Sequence, residues 1–201
     1  MDEIQNLFLT ALRAGLRQER VNWEQPMETE QWAALFQLAA EHKVLPMIYE
    51  AVYACPSARA ADARLFAAYK QQTVLAVMQQ TRKTSDFLAL YAFLRESGVT
   101  PLVVKGIVCR TLYPKPDNRP SGDEDLLIPA EEFPKCHQAL LDYGMEVADP
   151  KADLDTAYEA PYRKPGSPLY IELHKSLFPA DSEAYGDLNR FFADARPETL
   201  T

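Results

Sequence analysis

The feature that most constrains the fold is a stretch of about forty residues, 57–95, that contains neither proline nor glycine. Its apolar residues recur at three- and four-residue steps, which places them on one face of a helix. The pattern predicts either one long helix or two helices with a break near Thr73 or Lys83. Shorter segments with the same spacing precede it, and Gly98 ends it. The first half of the chain is therefore predicted to be helical almost throughout.

The residues after Gly98 have a different character. Short apolar or alternating runs at 101–104, 123–128 and 169–174 are typical of β-strands. A segment with three prolines separates the first two runs and is expected to be a loop. Helical spacing returns between the second and third runs. The sequence thus predicts an α+β fold.

Two regions follow from this change of pattern. Residues 1–97 are expected to form a helical N-terminal region, and residues 98–201 an α+β domain. The tail at 182–195 is also predicted to be helical. Whether the second domain is complete at its C-terminus is open at this point.

Composition limits the partners that this chain can bind. Asp and Glu outnumber Lys and Arg by 29 to 21, so the formal charge is -8. A protein that binds nucleic acid through its phosphates needs a basic face, so this composition argues against long nucleic acid as a partner. The sequence has no apolar run of about 20 residues and no signal-peptide pattern, so we expect a cytoplasmic protein without a membrane span. A small anionic ligand held with metal ions remains compatible with this charge.

A pair of aspartates begins the second predicted strand. Side chains two apart in a strand share a face, so Asp123 and Asp125 project to the same side, ~7 Å apart. Two such carboxylates repel unless a cation lies between them, and Mg²⁺ is usually held by one or two carboxylates with phosphate oxygens. Glu172 on another strand would supply a third acid. The alternative is that these acids are turn, capping or surface residues. In a metal-free site, removing Asp125 should leave the protein equally stable or slightly more stable.

A second candidate element is the turn at Lys105 and Gly106. A strand that ends in glycine and enters a helix offers backbone N–H groups to phosphate oxygens, and glycine permits their close approach. The alternative is a tight turn at Gly106 with Lys105 in solvent.

The order of these elements resembles the uncharacterised nucleotidyltransferase family of the DNA polymerase beta-like superfamily. The resemblance rests on Val104-Lys105-Gly106, on the stretch 119–128 and on Ile171-Glu172-Leu173-His174, and it extends over about residues 98–177. It implies a nucleotidyltransferase-type mixed sheet flanked by helices. It also implies Asp123, Asp125 and Glu172 as catalytic metal ligands for Mg²⁺ or Mn²⁺, and a nucleoside triphosphate at Gly106.

The chain departs from the usual pattern of that superfamily at two positions near the expected phosphates. Ile107 follows Gly106 where a serine is usual, and Lys105 could replace the contact of that serine. Glu124 stands between the two aspartates where an apolar residue is usual, so it must reach solvent or a basic partner such as Arg119.

Two further residues have two interpretations each. His174 shares a strand face with Glu172 and either orients a metal ligand or touches phosphate, or it is a partly buried histidine bonded to backbone. Arg119 either pairs with phosphate or neutralises the acids. We include both residues, with Lys105 and Gly106, among the candidate nucleotide-binding residues.

Three functions are compatible with these residues. The leading hypothesis is an enzyme, a metal-dependent transferase that moves a nucleotidyl group from a nucleoside triphosphate to an unknown acceptor, a small molecule or a protein. The second is a non-catalytic nucleotide-sensing or protein-binding module that retains the fold. The third is a structural helical domain whose acids lie at the surface. Fold alone does not choose among them.

Overall fold

The computed structural model describes residues 2–151, 153–184, 186–192 and 194–196. The chain divides into two compact units, which we call the helical unit and the sheet unit. The helical unit contains Met1–Arg82 and Cys109–Ser121, and the sheet unit contains Lys83–Val108 and Gly122–Thr201. Within the described ranges, every helix is too short or too polar to span a lipid bilayer.

The helical unit is built mainly from amphipathic helices, as the spacing of apolar residues predicted. Its first helices are α1 (Glu3–Leu16), α2 (Thr29–Glu41), α3 (Leu45–Val52) and α4 (Pro56–Ala60). The apolar faces of these helices form one core around the fully buried rings of Trp32 and Phe36.

Helix α5 (Ala63–Glu96) settles the alternative that the sequence left open. It is one uninterrupted helix of 34 residues, without a break near Thr73 or Lys83. The division between the two units falls within it, after Arg82. Two shorter helices follow, α6 (Ile107–Arg110) and α7 (Phe133–Asp142).

The sheet unit contains a five-stranded mixed sheet. Its strands follow the spatial order β1, β2, β5, β4, β3; β2 and β5 are parallel, and the other pairs are antiparallel. This architecture confirms the predicted α+β fold. The strand bounds are β1 (Leu102–Val103), β2 (Glu124–Leu127), β3 (Glu146–Val147), β4 (Glu159–Arg163) and β5 (Tyr170–His174).

One face of the sheet forms a hydrophobic core with α7 and the C-terminal half of α5. Leu126, Ile171 and Leu173 project from β2 and β5 into this core, and each of them is fully buried. Because residues alternate between faces, Asp125, Glu172 and His174 project from the opposite face. The packing of the core thus determines which side chains line the site.

Strands β3 and β4 were not indicated by the sequence. Pro161 lies in the middle of β4, and proline is normally confined to edge strands because it has no N–H to donate. Here its carbonyl accepts a hydrogen bond from Ala148, the residue just after the two-residue strand β3. The side of Pro161 that lacks the N–H therefore faces the short outer strand.

The predicted helix at 182–195 is wrong for the described part of that segment. Only a 3-10 helix at Leu188–Phe192 is present among its described residues. Asn189 ties this turn back to the chain by donating to the carbonyl of Phe178 and accepting from its N–H.

Candidate active site

The pairing of β2 with β5 brings distant residues together. In this parallel pair Asp125 is opposite Glu172, and Leu127 is opposite His174. Partners in a parallel ladder share a face of the sheet. Asp125, Glu172 and His174 therefore lie on one face, opposite the core.

These three residues form a tight group of potential metal ligands. One ligand atom of each lies within 4.8 Å of the others. The Nε2 atom of His174 is 3.2 Å from Oδ1 of Asp125 and 3.7 Å from Oε2 of Glu172. Asp125 and His174 are buried, whereas Glu172 is partly exposed. The group thus opens to solvent on the side of Glu172.

Asp123 is placed differently from the other two acids. It precedes the first residue of β2 and is partly exposed. Among the described residues, the group of close ligand atoms does not include it. Its charge nevertheless acts on the group, because it helps to raise the pKa of Glu172.

Two donors hold Asp125 in its ionised form. The Nζ atom of Lys105 lies 2.8 Å from Oδ1 of Asp125, the same oxygen that faces His174. Burial raises the pKa of Asp125, but the hydrogen bonds with His174 and Lys105 outweigh it and leave this pKa below its usual value. The same hydrogen bond raises the pKa of Lys105. Lys105 itself is largely exposed, so its ammonium group can also meet a ligand from solvent.

Glu172 has the opposite electrostatic setting. Burial raises its pKa, and the negative charges of Asp123, Glu159 and Asp125 raise it further. His174 lowers it by less. The surroundings of Glu172 therefore disfavour its ionised form, and a cation bound beside it would favour that form.

Glu159 is a residue of this face that the sequence did not reveal. It is opposite His174 in the β4–β5 ladder, and its Oε2 atom lies 3.3 Å from Nδ1 of His174. This pair does not form a hydrogen bond, and the part of the chain that the structure describes offers the buried Nδ1 atom no other hydrogen-bond partner. Alternation along β4 could have pointed to Glu159 only if that strand had been recognised.

The side chain of Glu124 occupies the space beside the turn at Gly106. Glu124 is fully buried, so it does not reach solvent, which was one of the two alternatives expected for it. Its Oε2 atom accepts a hydrogen bond of 2.6 Å from the N–H of Ile107. Gly106 has a φ of +56°, and a Cβ there would lie 3.1 Å from Cα of Glu124. The close approach of Glu124 thus explains the glycine, and one N–H of the turn is engaged.

Arg119 belongs to the helical unit. It follows the 3-10 helix Pro116–Asn118, and its guanidinium carbon lies 5.5 Å from the centre of the Tyr113 ring. This is the distance of a cation–π contact.

The donor set of this face fits a divalent metal ion. Carboxylate oxygens and an imidazole nitrogen are common ligands of divalent metals in proteins. The group also carries negative charge that Lys105 offsets in part, chiefly through its hydrogen bond with Asp125. Asp125, Glu172 and His174 are the residues that could hold such an ion.

Comparison with known proteins agrees with this geometry. No curated protein and no solved structure matches the chain. The family model described as uncharacterised nucleotidyltransferase matches residues 28–200. The match includes β1 to β5 and begins well before the segment 98–177 on which the resemblance rested. Since it spans most of the sequence, the chain belongs to the uncharacterised nucleotidyltransferase family, and a role in nucleotidyl transfer follows from that membership.

Proposed function

We propose that this protein is a divalent-metal-dependent enzyme that transfers a nucleotidyl group from a nucleoside triphosphate to a hydroxyl group of an unidentified acceptor, a small molecule or a protein. The observation that carries the proposal is the convergence of Asp125, Glu172 and His174 from two parallel strands within 4.8 Å. The family match supports the reaction class.

In this reaction the acceptor oxygen forms a bond to the α-phosphorus while the bond from that phosphorus to the leaving pyrophosphate breaks, and the proton of the acceptor hydroxyl passes to solvent water. Mg²⁺ or Mn²⁺, when bound, neutralises phosphate charge and lowers the pKa of the acceptor hydroxyl. Asp125 and Glu172 would hold the ion, and Asp123, whose charge acts on Glu172, remains a candidate for a third carboxylate ligand.

Lys105 is the residue best placed to meet the triphosphate. Its ammonium group is largely exposed and already lies at the edge of the acidic group. The N–H of Ile107 donates to Glu124 and is not available to a phosphate oxygen. Lys105 would therefore provide the main positive charge for phosphate at the Gly106 turn. Gly106 permits the approach of Glu124, and we retain Arg119 as a candidate for a second phosphate contact.

Thermal unfolding tests the binding part of the proposal. A nucleoside triphosphate with ~5 mM Mg²⁺ or Mn²⁺ is expected to raise the melting temperature more than either component alone, because a ligand that binds only the folded state stabilises it. Asp125→Asn should abolish the joint effect, whereas the exposed-acid control Glu131→Gln should retain it. No shift in the wild-type protein would contradict the proposal.

A second candidate function is a nucleotide sensor without catalysis. The specific observation in its favour is Glu124, whose carboxylate occupies an N–H of the turn expected to bind phosphate. Label transfer separates the two candidates. An α-³²P-labelled nucleoside triphosphate incubated with cell extract should label an acceptor with wild-type protein but not with Asp125→Asn. Binding without any label transfer would favour the sensor.

A further inference from the structure

His174 has carboxylates at both of its ring nitrogens. Nε2 faces Asp125 at 3.2 Å and Glu172 at 3.7 Å, and Nδ1 faces Glu159 at 3.3 Å. The side chain of His174 is only 4% exposed, so water does not satisfy these nitrogens from bulk solvent. Among the described residues, the buried Nδ1 atom has no hydrogen-bond partner.

A neutral imidazole has one N–H and one lone pair, and neither tautomer satisfies this environment by itself. If Nε2 carries the hydrogen towards Asp125, the lone pair of Nδ1 faces the carboxylate of Glu159. If Nδ1 carries the hydrogen towards Glu159, the lone pair of Nε2 faces the oxygens of Asp125 and Glu172. Electron-rich atoms placed together in this way repel one another unless a cation lies between them.

A cation bound between Nε2, Asp125 and Glu172 would remove the repulsion at both ring nitrogens of His174. The lone pair of Nε2 then binds the ion, and Nδ1–H is left to donate to Glu159. Metal-ligating histidines commonly donate their other ring N–H to a carboxylate, which fixes the tautomer and the ring orientation. Lys105 does not replace this cation, because in the described part of the chain its ammonium group donates a hydrogen bond to Oδ1 of Asp125 and not to Nε2 of His174.

We propose that Asp125, Glu172 and His174 form a mixed nitrogen–oxygen site that selects a first-row transition divalent cation over Mg²⁺, with Glu159 as the positioning residue that holds His174. This inference rests on the proposed function for the presence of a metal ion and adds the class of the ion. Mg²⁺ prefers oxygen ligands and sheds its water reluctantly. Affinity at a site with an imidazole ligand rises instead from Mn²⁺ to Co²⁺.

Calorimetric titration of the nucleotide-free protein with Mg²⁺, Mn²⁺ and Co²⁺ tests this selectivity directly. The expected affinity order is Mg²⁺ below Mn²⁺ below Co²⁺, with at least about a tenfold difference between Mg²⁺ and Co²⁺. Similar affinities for all three ions, or no binding of any of them, would overturn the inference without any variant. An imidazolium ring that satisfies both carboxylate sides by itself would give the latter result.

Three variants assign the residues. His174→Gln should weaken Co²⁺ binding roughly 10- to 100-fold and bring its affinity close to that of Mg²⁺. Glu159→Leu should weaken Co²⁺ binding by about tenfold, and Glu159→Gln should weaken it less because its amide oxygen still accepts from Nδ1–H. Glu146→Gln, which changes an acid on the outer strand β3, is the matched control and should bind like wild type.

Circular dichroism melting identifies any variant that fails to fold. In that case the titration of the wild-type protein with the three ions still decides whether the site is selective. Unchanged Co²⁺ preference in folded His174→Gln would show that the imidazole is not a ligand. If selectivity is absent while Mg²⁺ and nucleotide still stabilise the protein together, this inference fails and the proposed function stands. If no metal binds with or without nucleotide, both fail.

Discussion

Asp125 and Glu172 are adjacent acids whose surroundings shift their pKa values in opposite directions. Lys105 and His174 stabilise the ionised form of Asp125, so its pKa lies below the usual value. Burial and three neighbouring acids raise the pKa of Glu172. The two carboxylates therefore contribute to the free energy of unfolding with different signs, although both belong to the same group.

This difference predicts contrasting effects of two similar substitutions. In urea unfolding at pH 7 with chelator, Asp125→Asn should lower the free energy of unfolding by roughly 1–3 kcal/mol, since hydrogen bonds to a charged group are lost. From charge repulsion alone, the sequence analysis expected the loss of Asp125 to be neutral or stabilising. The expected sign is now the opposite, because Lys105 and His174 offset the repulsion around Asp125. Glu172→Gln should leave stability equal or slightly higher. Equal losses in both variants would contradict the electrostatic assignment.

Gly106 provides a second prediction at the residue scale. Its positive φ and the approach of Glu124 both oppose a side chain. The control is Gly144, which has a φ of +88° and open space, with no atom within 4 Å, where a Cβ would lie. In urea unfolding, Gly144→Ala should cost roughly 1–2 kcal/mol from backbone strain, and Gly106→Ala roughly 1–3 kcal/mol more from overpacking. Equal losses would show that Glu124 moves aside freely.

At the scale of elements, two leucines on α5 report which face packs on the sheet. Leu90 is fully buried in the core, whereas Leu88 is 55% exposed. Leu90→Ala should cost roughly 2–5 kcal/mol in the free energy of unfolding, and Leu88→Ala less than about 0.5 kcal/mol. Denaturant midpoints of the two variants measure this contrast. A similar cost at both positions would mean that the exposed side of α5 is also packed.

Elements with a strong period were predictable, and those that depend on tertiary pairing were not. The sequence patterns predicted helical structure along the α5 segment, with one helix or two left open, and the strands β2 and β5, because each has apolar residues at a helical or strand spacing. Strand β4 was missed because Pro161 argues against a strand until the short partner strand is known. Glu159 was not predicted for the same reason, since the register between β4 and β5 decides which acid lies opposite His174.

The candidate site was predictable in part for a related reason. Alternation along β2 and β5 is enough to place Asp125, Glu172 and His174 on one face once the strands are recognised. The burial of Glu124 was not predictable, because it depends on where the N–H of Ile107 lies in space. The position of Asp123 before the strand depends on where β2 begins, and strand ends are poorly defined by sequence.

At the scale of the whole molecule, net charge predicts which acceptors are excluded. With a formal charge of -8, the protein should bind a fluorescent 20-nucleotide DNA or RNA more weakly than about 100 µM near physiological salt. Fluorescence anisotropy measures this affinity, and a nucleoside triphosphate with metal in the same buffer is the positive control. Saturable micromolar binding of either oligonucleotide would indicate a nucleic-acid acceptor.

The pairing of β2 with β5 also has a kinetic consequence. Asp125 and His174 meet across 49 positions, and α7, β3 and β4 all lie between them in the chain. Such contacts form only after a long loop has closed, which costs chain entropy. The ligand group is therefore expected to form late in folding. A metal ion bound there would stabilise contacts that are largely absent from the folding transition state, so we expect it to slow unfolding and to leave the folding rate nearly unchanged.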